Sequence, residues 1–303
     1  MATSLERILD KIRLKNPNHA AKLEAHLTIL DQKYKDSANF FFDKYNRYLE
    51  ENKMNLDFGV DCYLHMIDDM LEERLQFIRE GKYSNSSFAD VENRIYGNPE
   101  IMTYHMHGLV LAQFLWFDQY ERILFFTDNL KKYTSSATSY LEIGGGHGLY
   151  MLEAFQLLSN IQKFDLVDIS QSSLDLAKGI INEEAIHYYL KNIFDFTEDQ
   201  KYDFITMGEV LEHVEDPLSM LQKISNLLTE NGVCYITTPI NAPMIDHIYL
   251  FSNANEIRDL FGAAGFEVIE EKIVISEKIT EKQAAKFMVP VMYAAFIKKQ
   301  KHE

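Results

Sequence analysis

Cysteine is close to absent from this 303-residue chain: Cys62 and Cys234 are its 2 thiols, far apart and not in a CxxC pair. That spacing excludes a disulfide framework, a thiolate zinc site and a redox dithiol, and a reducing, cytoplasmic setting is the expectation. Long apolar runs are missing too. The greasiest stretch, Gly108 to Phe117, is ten residues long and contains Gln113, whereas a membrane-spanning helix needs roughly 20 apolar residues. It reads as a buried helix, and no membrane segment is expected. The N-terminal stretch MATSLERILDKIRLKN interrupts its aliphatics with Glu6, Asp10 and basic residues, so it lacks the apolar segment of an export signal. Positive charge is in deficit: 30 Lys and Arg against 46 Asp and Glu leave a formal charge of -16. Nucleic acid and anionic membrane surfaces would meet repulsion, which argues against both as partners. The chain also shows no internal repeat, low-complexity tract or Gly/Ser linker.

What is present divides into two halves. Hydrophobic residues make up 47% of the chain, enough for one large domain or two moderate ones. Before about residue 133 the apolar spacing is helical: Leu64, Ile67, Leu71, Leu75 and Ile78 recur at three and four residues, with Asp68, Asp69, Glu72 and Glu73 between. A further helix is expected to open at Asn98, a capping residue followed by Pro99 and Glu100, and to carry the aromatic-rich segment to Phe126. From Tyr140 onward short apolar runs alternate with helical patterns, the script of a parallel sheet covered by helices. The candidate strands are YLEIG, FDLVDI, IHYYLKNI, YDFITMG, GVCYITT, FEVIEEKIVI and VMYAAFI, with helices from Pro217 to Leu228 and from Asn253 to about Gly265. The polar stretch Lys131 to Ser139 is the natural boundary, which divides the chain into an α-helical cap, 1–133, and an α/β domain, 134–303.

The first candidate strand ends in Leu141-Glu142-Ile143-Gly144-Gly145-Gly146-His147-Gly148. Closely spaced glycines before a helix let a ligand reach backbone N–H groups without obstruction by Cβ atoms. A dinucleotide fingerprint would require glycine or alanine where Leu149 stands, so an NAD-dependent oxidoreductase is the weaker reading. The spacing actually present, ExGxGxG from Glu142 through Gly144, Gly146 and Gly148, resembles the first motif of the class I S-adenosylmethionine (SAM)-dependent methyltransferases. The resemblance extends over roughly residues 138 to 299 and through several further segments in register.

It implies a Rossmann-like, seven-stranded, mainly parallel sheet of order 3-2-1-4-5-7-6, with helices on both faces and the helical segment in front. It implies SAM as cofactor, leaving as S-adenosylhomocysteine. Asp168 ends the second strand, with Ile169 beside it, where the family places an acidic residue on the ribose hydroxyls. Near the adenine the family commonly carries an aspartate; here Asn192 stands at that position, followed by Ile193, and Asp195 replaces it if the register slips. Gly208 and Glu209 in KYDFITMGEVLEHVEDP fall beside the methionyl part, and Glu212 and His213 begin the next helix, whose dipole favours the glutamate. Taken singly, any of these acidic residues reads as a solvated surface charge; at strand ends on one edge of a sheet they mark a ligand crevice.

Methyl transfer from a sulfonium is an in-line displacement, in which alignment and exclusion of water do most of the work. A hydroxyl acceptor also benefits from a general base, and His247, after the fifth strand with Asp246 adjacent, is the first candidate, His213 the second. In the helical half, Tyr104 and His107 share a face, and with Trp116 and Tyr120 they form a candidate aromatic lid over the acceptor; aromatic core is the competing reading. His107, Asp246 and His247 have metal-ligand chemistry but no ligand spacing, so no metal is expected. The expected partner is a small-molecule methyl acceptor, with a homodimer through the cap left open, as is a catalytically silent SAM-binding role.

Overall fold

The computed structural model describes residues 2–27, 30–197 and 201–301. Its first part is helical: α1 (Ser4–Lys15), α2 (Pro17–Leu27), α3 (Gln32–Glu51), α4 (Leu56–Glu80), α5 (Phe88–Val91), a π-helical turn over Glu92–Tyr96, α6 (Pro99–Leu115) and α7 (Phe117–Thr134). Asn98 caps α6 as its sequence context requires, accepting from the N–H groups of Glu100 and Ile101 with Pro99 in the first turn.

Two expectations need correction here. The helix expected to reach Phe126 breaks at Trp116, whose backbone is extended. The break lets α6 stay packed on α4 while α7 turns across the sheet, two directions that one straight helix cannot serve. The α4 helix is where its periodicity puts it, but Leu71, Leu75 and Ile78 are each more than half exposed. The opposite face, with Val60, Tyr63, Met66 and Phe77, faces the core instead. Period selects a helix, not which of two apolar faces finds a partner.

The second part alternates except between its third and fourth strands: β1 (Ser139–Ile143), α8 (Leu149–Leu157), β2 (Lys163–Asp168), α9 (Gln171–Ile181), β3 (Ile186–Leu190), β4 (Tyr202–Gly208), α10 (Pro217–Leu227) and β5 (Leu228–Ile240). Glu212 and His213 do not begin a helix as expected: they sit in a 3-10 turn over Leu211–His213, and α10 opens only at Pro217. It closes with α11 (Ala254–Ala263), β6 (Phe266–Ile275), α12 (Glu281–Phe287) and β7 (Val291–Lys299). The sheet order is β3-β2-β1-β4-β5-β7-β6, parallel except for β7, which runs antiparallel to both β5 and β6. This is the α/β, Rossmann-like arrangement that the motifs imply. The third strand is shorter than expected. Pairing stops at Leu190, and Asn192 caps a 3-10 turn over Ile193–Asp195 by accepting from the Phe194 N–H at 3.0 Å.

Alternation along the strands sends Tyr140, Phe204, Tyr235 and Phe296 to one face of the sheet and Leu141, Ile205, Ile236 and Ile297 to the other. The first face shares a continuous core with the helical cap: Phe125 and Phe126 of α7 stack against Tyr235, with ring centroids 6.2 and 5.0 Å away. The cap is thereby held over the carboxyl ends of β1, β2, β4 and β5. Among the described residues, no helix is long and apolar enough to cross a membrane.

Candidate active site

A cavity of about 1120 Å³ lies between the cap and that strand edge. Such crevices are where open α/β sheets bind ligands, because the loops leaving adjacent strands diverge there.

At one end is the glycine loop. Gly146 has φ +54°, a left-handed conformation that favours glycine, and a Cβ built there would meet only Met106 Cε, at 3.5 Å. The loop is therefore open toward the cavity at this residue, whereas Gly144 and Gly148 are closely covered by Val210 and Ile181. Asp168 holds the loop in place. One carboxylate oxygen accepts from the Gly146 N–H at 3.2 Å and the other from the Ser170 N–H at 2.8 Å. Burial raises the Asp168 pKa to about 6, against the opposing pull of those N–H donors. Glu142 lies beneath the loop, buried, with Oε2 lacking a hydrogen-bond partner, and burial holds its pKa well above the usual carboxylate range. Ile169, Asn192, Ile193, Gly208 and Glu209 also line the cavity. Asp195 does not: the 3-10 turn leaves it exposed outside the lining.

Sequence reasoning missed Arg122. Carried by α7, it is buried, and its Nη1 lies 2.8 Å from Glu209 Oε1 on the cavity wall. Burial is the largest influence and opposes its charge, but Glu209, Tyr150 and Tyr235 together hold the Arg122 pKa above its ordinary value. Glu209 is itself anchored, receiving Thr237 Oγ1–H at 2.8 Å and adopting φ +54°, a strained setting for a non-glycine residue of the kind found at functional sites. No local pattern marks Arg122: only the docking of α7 on the sheet brings it to Glu209.

The proposed lid residues are mostly elsewhere. Tyr104 donates to Asp69 at 2.6 Å and stacks on His65, His107 is bonded through Nδ1 to Tyr45 Oη at 2.7 Å, and Tyr120 packs edge-on against Tyr34. None of the three lines the cavity; Trp116 alone of that set does. The α6 helix is apolar nearly all round, so its sequence does not select a face. The face that meets the cavity carries Met102, His105, Met106 and Leu109. Burial lowers the His107 pKa to about 4, as expected for a core imidazole.

The base candidates do come together. Asp246, His247 and His213 are joined by Glu212, by His105 of α6 and by Tyr96 of the π-helical turn. Asp246 Oδ2 accepts from Tyr96 Oη at 3.4 Å and lies 3.6 Å from His213 Nδ1 and 3.7 Å from His105 Nε2. Burial alone would raise the Asp246 pKa; the surrounding histidines, His213 first, bring it to about 2. Burial opposes the His213 charge, but Asp246 and then Glu212 hold its pKa above the ordinary value, while burial drops His247 to about 3. Glu212 is fully buried, and burial together with the Glu209 charge raises its pKa to about 8. His107 is tied to Tyr45 and does not line the cavity with Asp246 and His247, but Glu212, His213 and His247 place one ligand-type atom each within 4.8 Å of one another.

Known proteins share the domain and the fold. A family profile described as a methyltransferase domain matches residues 113–271. The ubiquinone biosynthesis O-methyltransferase of Actinobacillus pleuropneumoniae serotype 7 is 33% identical over 106 residues, covering 32% of this chain and 44% of the relative. The enzyme of the same description from Coxiella burnetii is 33% identical over 97 residues, 31% of this chain and 41% of the relative. These matches span less than half the length of the relatives. Among solved structures, the mitomycin 7-O-methyltransferase MmcR shares the fold, with TM-score 0.54 and 11% identity over 80% of this chain and 70% of that one.

Proposed function

The chain belongs to the methyltransferase-domain family, that of the SAM-dependent methyltransferases, and from that premise we propose that it methylates an oxygen or nitrogen of a small-molecule acceptor held beneath the helical cap. One observation carries this reading: a single cavity joins two unlike anchor points, the Gly146–Asp168 clamp at one end and the Arg122–Glu209 ion pair at the other. The first suits a nucleoside and the second a zwitterionic amino acid, the two ends of SAM.

The residues present fit that cofactor. Asp168 would hold the ribose hydroxyls, Asn192 and Ile193 would flank the adenine, and the open backbone at Gly146 would leave room along the loop. Arg122 and Glu209 would take the carboxylate and the amino group, which accounts for a charged pair turned toward a cavity. When bound, SAM supplies a methyl carbon already activated by its sulfonium.

The chain's own residues then align the acceptor and exclude water. Met102, Met106 and Leu109 of α6 close the apolar side of the cavity. A hydroxyl acceptor must also shed a proton. Asp246 stays anionic beside His213, so His213 is the imidazole best matched to receive a proton near neutral pH. His247 donates Nδ1–H to the Ala242 carbonyl at 2.6 Å, which leaves Nε2 as a neutral acceptor able to orient an O–H. The curated relatives are named for O-methylation, which favours oxygen over nitrogen as the acceptor atom. The net charge of -16 argues against a nucleic-acid acceptor.

Calorimetric titration of the purified protein with SAM, S-adenosylhomocysteine and NAD tests the cofactor assignment. Saturable binding of the two adenosyl compounds alone is the expected result; binding of NAD alone would overturn it. A metabolite screen with methyl-labelled SAM then tests turnover, and binding without turnover on any acceptor would favour a silent SAM-binding role.

A further inference from the structure

The cluster of Glu212, buried behind the cavity wall, with His213 and His247 in that wall has a property that proton transfer does not require: every donor is tied back on its outer side and bare on its inner side. Glu212 Oε2 receives Thr238 Oγ1–H at 2.9 Å, while Oε1 is buried without a hydrogen-bond partner. His213 Nδ1 is bonded to the Asp246 carbonyl at 3.1 Å, which leaves Nε2 facing Glu212 Oε1 at 3.8 Å. His247 Nδ1 is bonded to the Ala242 carbonyl at 2.6 Å, which leaves Nε2 facing the same oxygen at 4.0 Å. Neither inner contact is a hydrogen bond.

We propose that Glu212, His213 and His247 form a binding site for one divalent transition-metal ion of the zinc class. Two imidazole nitrogens and one carboxylate oxygen suit such an ion and not magnesium or calcium, which prefer all-oxygen surroundings. Ligand bonds of about 2.0–2.2 Å require donors roughly 3.4 Å apart around a tetrahedral ion. Small side-chain rotations bring the observed separations to that value. The outward bonds to backbone carbonyls are the ones that fix tautomer and ring orientation in metal-binding histidines. Asp246 and Tyr96 add to this support: Tyr96 Oη lies 3.1 Å from His213 Nδ1 and donates to Asp246. Three protein donors leave a fourth position, and His213 and His247 line the cavity, so that position opens toward the acceptor and not toward bulk protein.

A hydrogen-bonded acid–base cluster would show Glu212 Oε1 in contact with a donor, and it has none. Glu209 belongs to a different unit, since its carboxylate is taken by Arg122 and Thr237. Ion and proton compete for the same two Nε2 atoms, so the proton-receiving role given to His213 above belongs to the ion-free state. The ion site rests on these three donors alone and is independent of methyl transfer.

The test uses tag-free full-length protein, stripped with a chelator and titrated with Co²⁺ by visible absorption and with Zn²⁺ by calorimetry. The expected result is one ion per chain, with visible Co²⁺ bands of a four- or five-coordinate nitrogen and oxygen site. Glu212→Gln and His247→Asn are each expected to weaken Zn²⁺ binding by about tenfold or more, given that loss of a supporting partner alone costs 10–100-fold. Circular dichroism and SAM titration of the same variants separate this outcome from loss of fold or failure of the methyltransferase reading. If one variant does not fold, the other and the wild-type Co²⁺ spectrum decide. Absence of stoichiometric binding by the wild type, or Zn²⁺ affinity unchanged in a folded variant, would overturn the assignment.

Discussion

Arg122 Nη1 and Glu209 Oε1 meet at 2.8 Å, one carried by a helix of the cap and the other by the loop after β4. A buried ion pair is weak evidence of stability, because desolvation of the two charges offsets their attraction. A pair that borders a cavity has another use, since each charge can share its partner with a ligand of matching charges.

Arg122→Gln is therefore expected to weaken SAM binding by about tenfold or more, the equivalent of roughly 1.4 kcal/mol, while adenosine binding changes little. Adenosine lacks the amino-acid end and does not call on this pair. Calorimetry with both ligands checks it, and an equal loss for the two would place Arg122 outside that subsite. The variant should also melt lower, because Glu209 is left without its cation.

Asp168→Ala removes the acceptor for the Gly146 and Ser170 N–H groups and, on the proposed reading, for two ribose hydroxyls. Hydrogen bonds to a charged group contribute about 1.5–3 kcal/mol each, so loss of most measurable SAM affinity is expected with the fold retained. Circular dichroism and titration together decide, and retained affinity would reject the site.

The same carboxylate predicts a pH dependence. Burial raises the Asp168 pKa to about 6 in the folded chain, so the anion is present above that value and is lost as pH falls through it. On the proposed reading the anion is the form that accepts from both ribose hydroxyls, so SAM affinity should decline as pH is lowered from 7 to about 5, given the carboxylate's position in that range. Affinity that is flat over this range would show that Asp168 does not titrate there.

Tyr96→Phe and Tyr104→Phe form a contrasting pair. The first deletes the hydroxyl that reaches His213 and Asp246 in the cavity, the second one that reaches Asp69 outside it. Turnover on an acceptor identified by screening should fall in kcat for Tyr96→Phe and stay within about twofold for Tyr104→Phe, in keeping with a surface substitution of under about 0.5 kcal/mol. The reverse order would restore the lid as first drawn.

The Gly144–Gly148 loop, Asp168 and the Glu209 to His213 segment were legible as strand ends because each follows an apolar strand within a few residues, although the helix expected at Glu212 and His213 is a 3-10 turn. The seven strands were legible for the same reason, since alternation and apolar runs repeat within one element. The third strand shows the limit, as nothing in IHYYLKNI marks Leu190 as the last paired residue.

What the sequence by itself determined was therefore the fold class, the glycine loop and the acidic residue that holds it, all of which follow from short-range pattern. What only the tertiary structure decided was which remote side chains share the cavity. It turned α6 so that His105 faces the site while Tyr104 and His107 do not, brought Arg122 to Glu209, and gathered Glu212, His213, Asp246 and His247 around one point. The physical reason is that a helix apolar on several sides, like α6, has no preferred face until its neighbours are packed. The meeting of residues far apart in the chain is set by how the cap docks on the sheet, which no local period encodes.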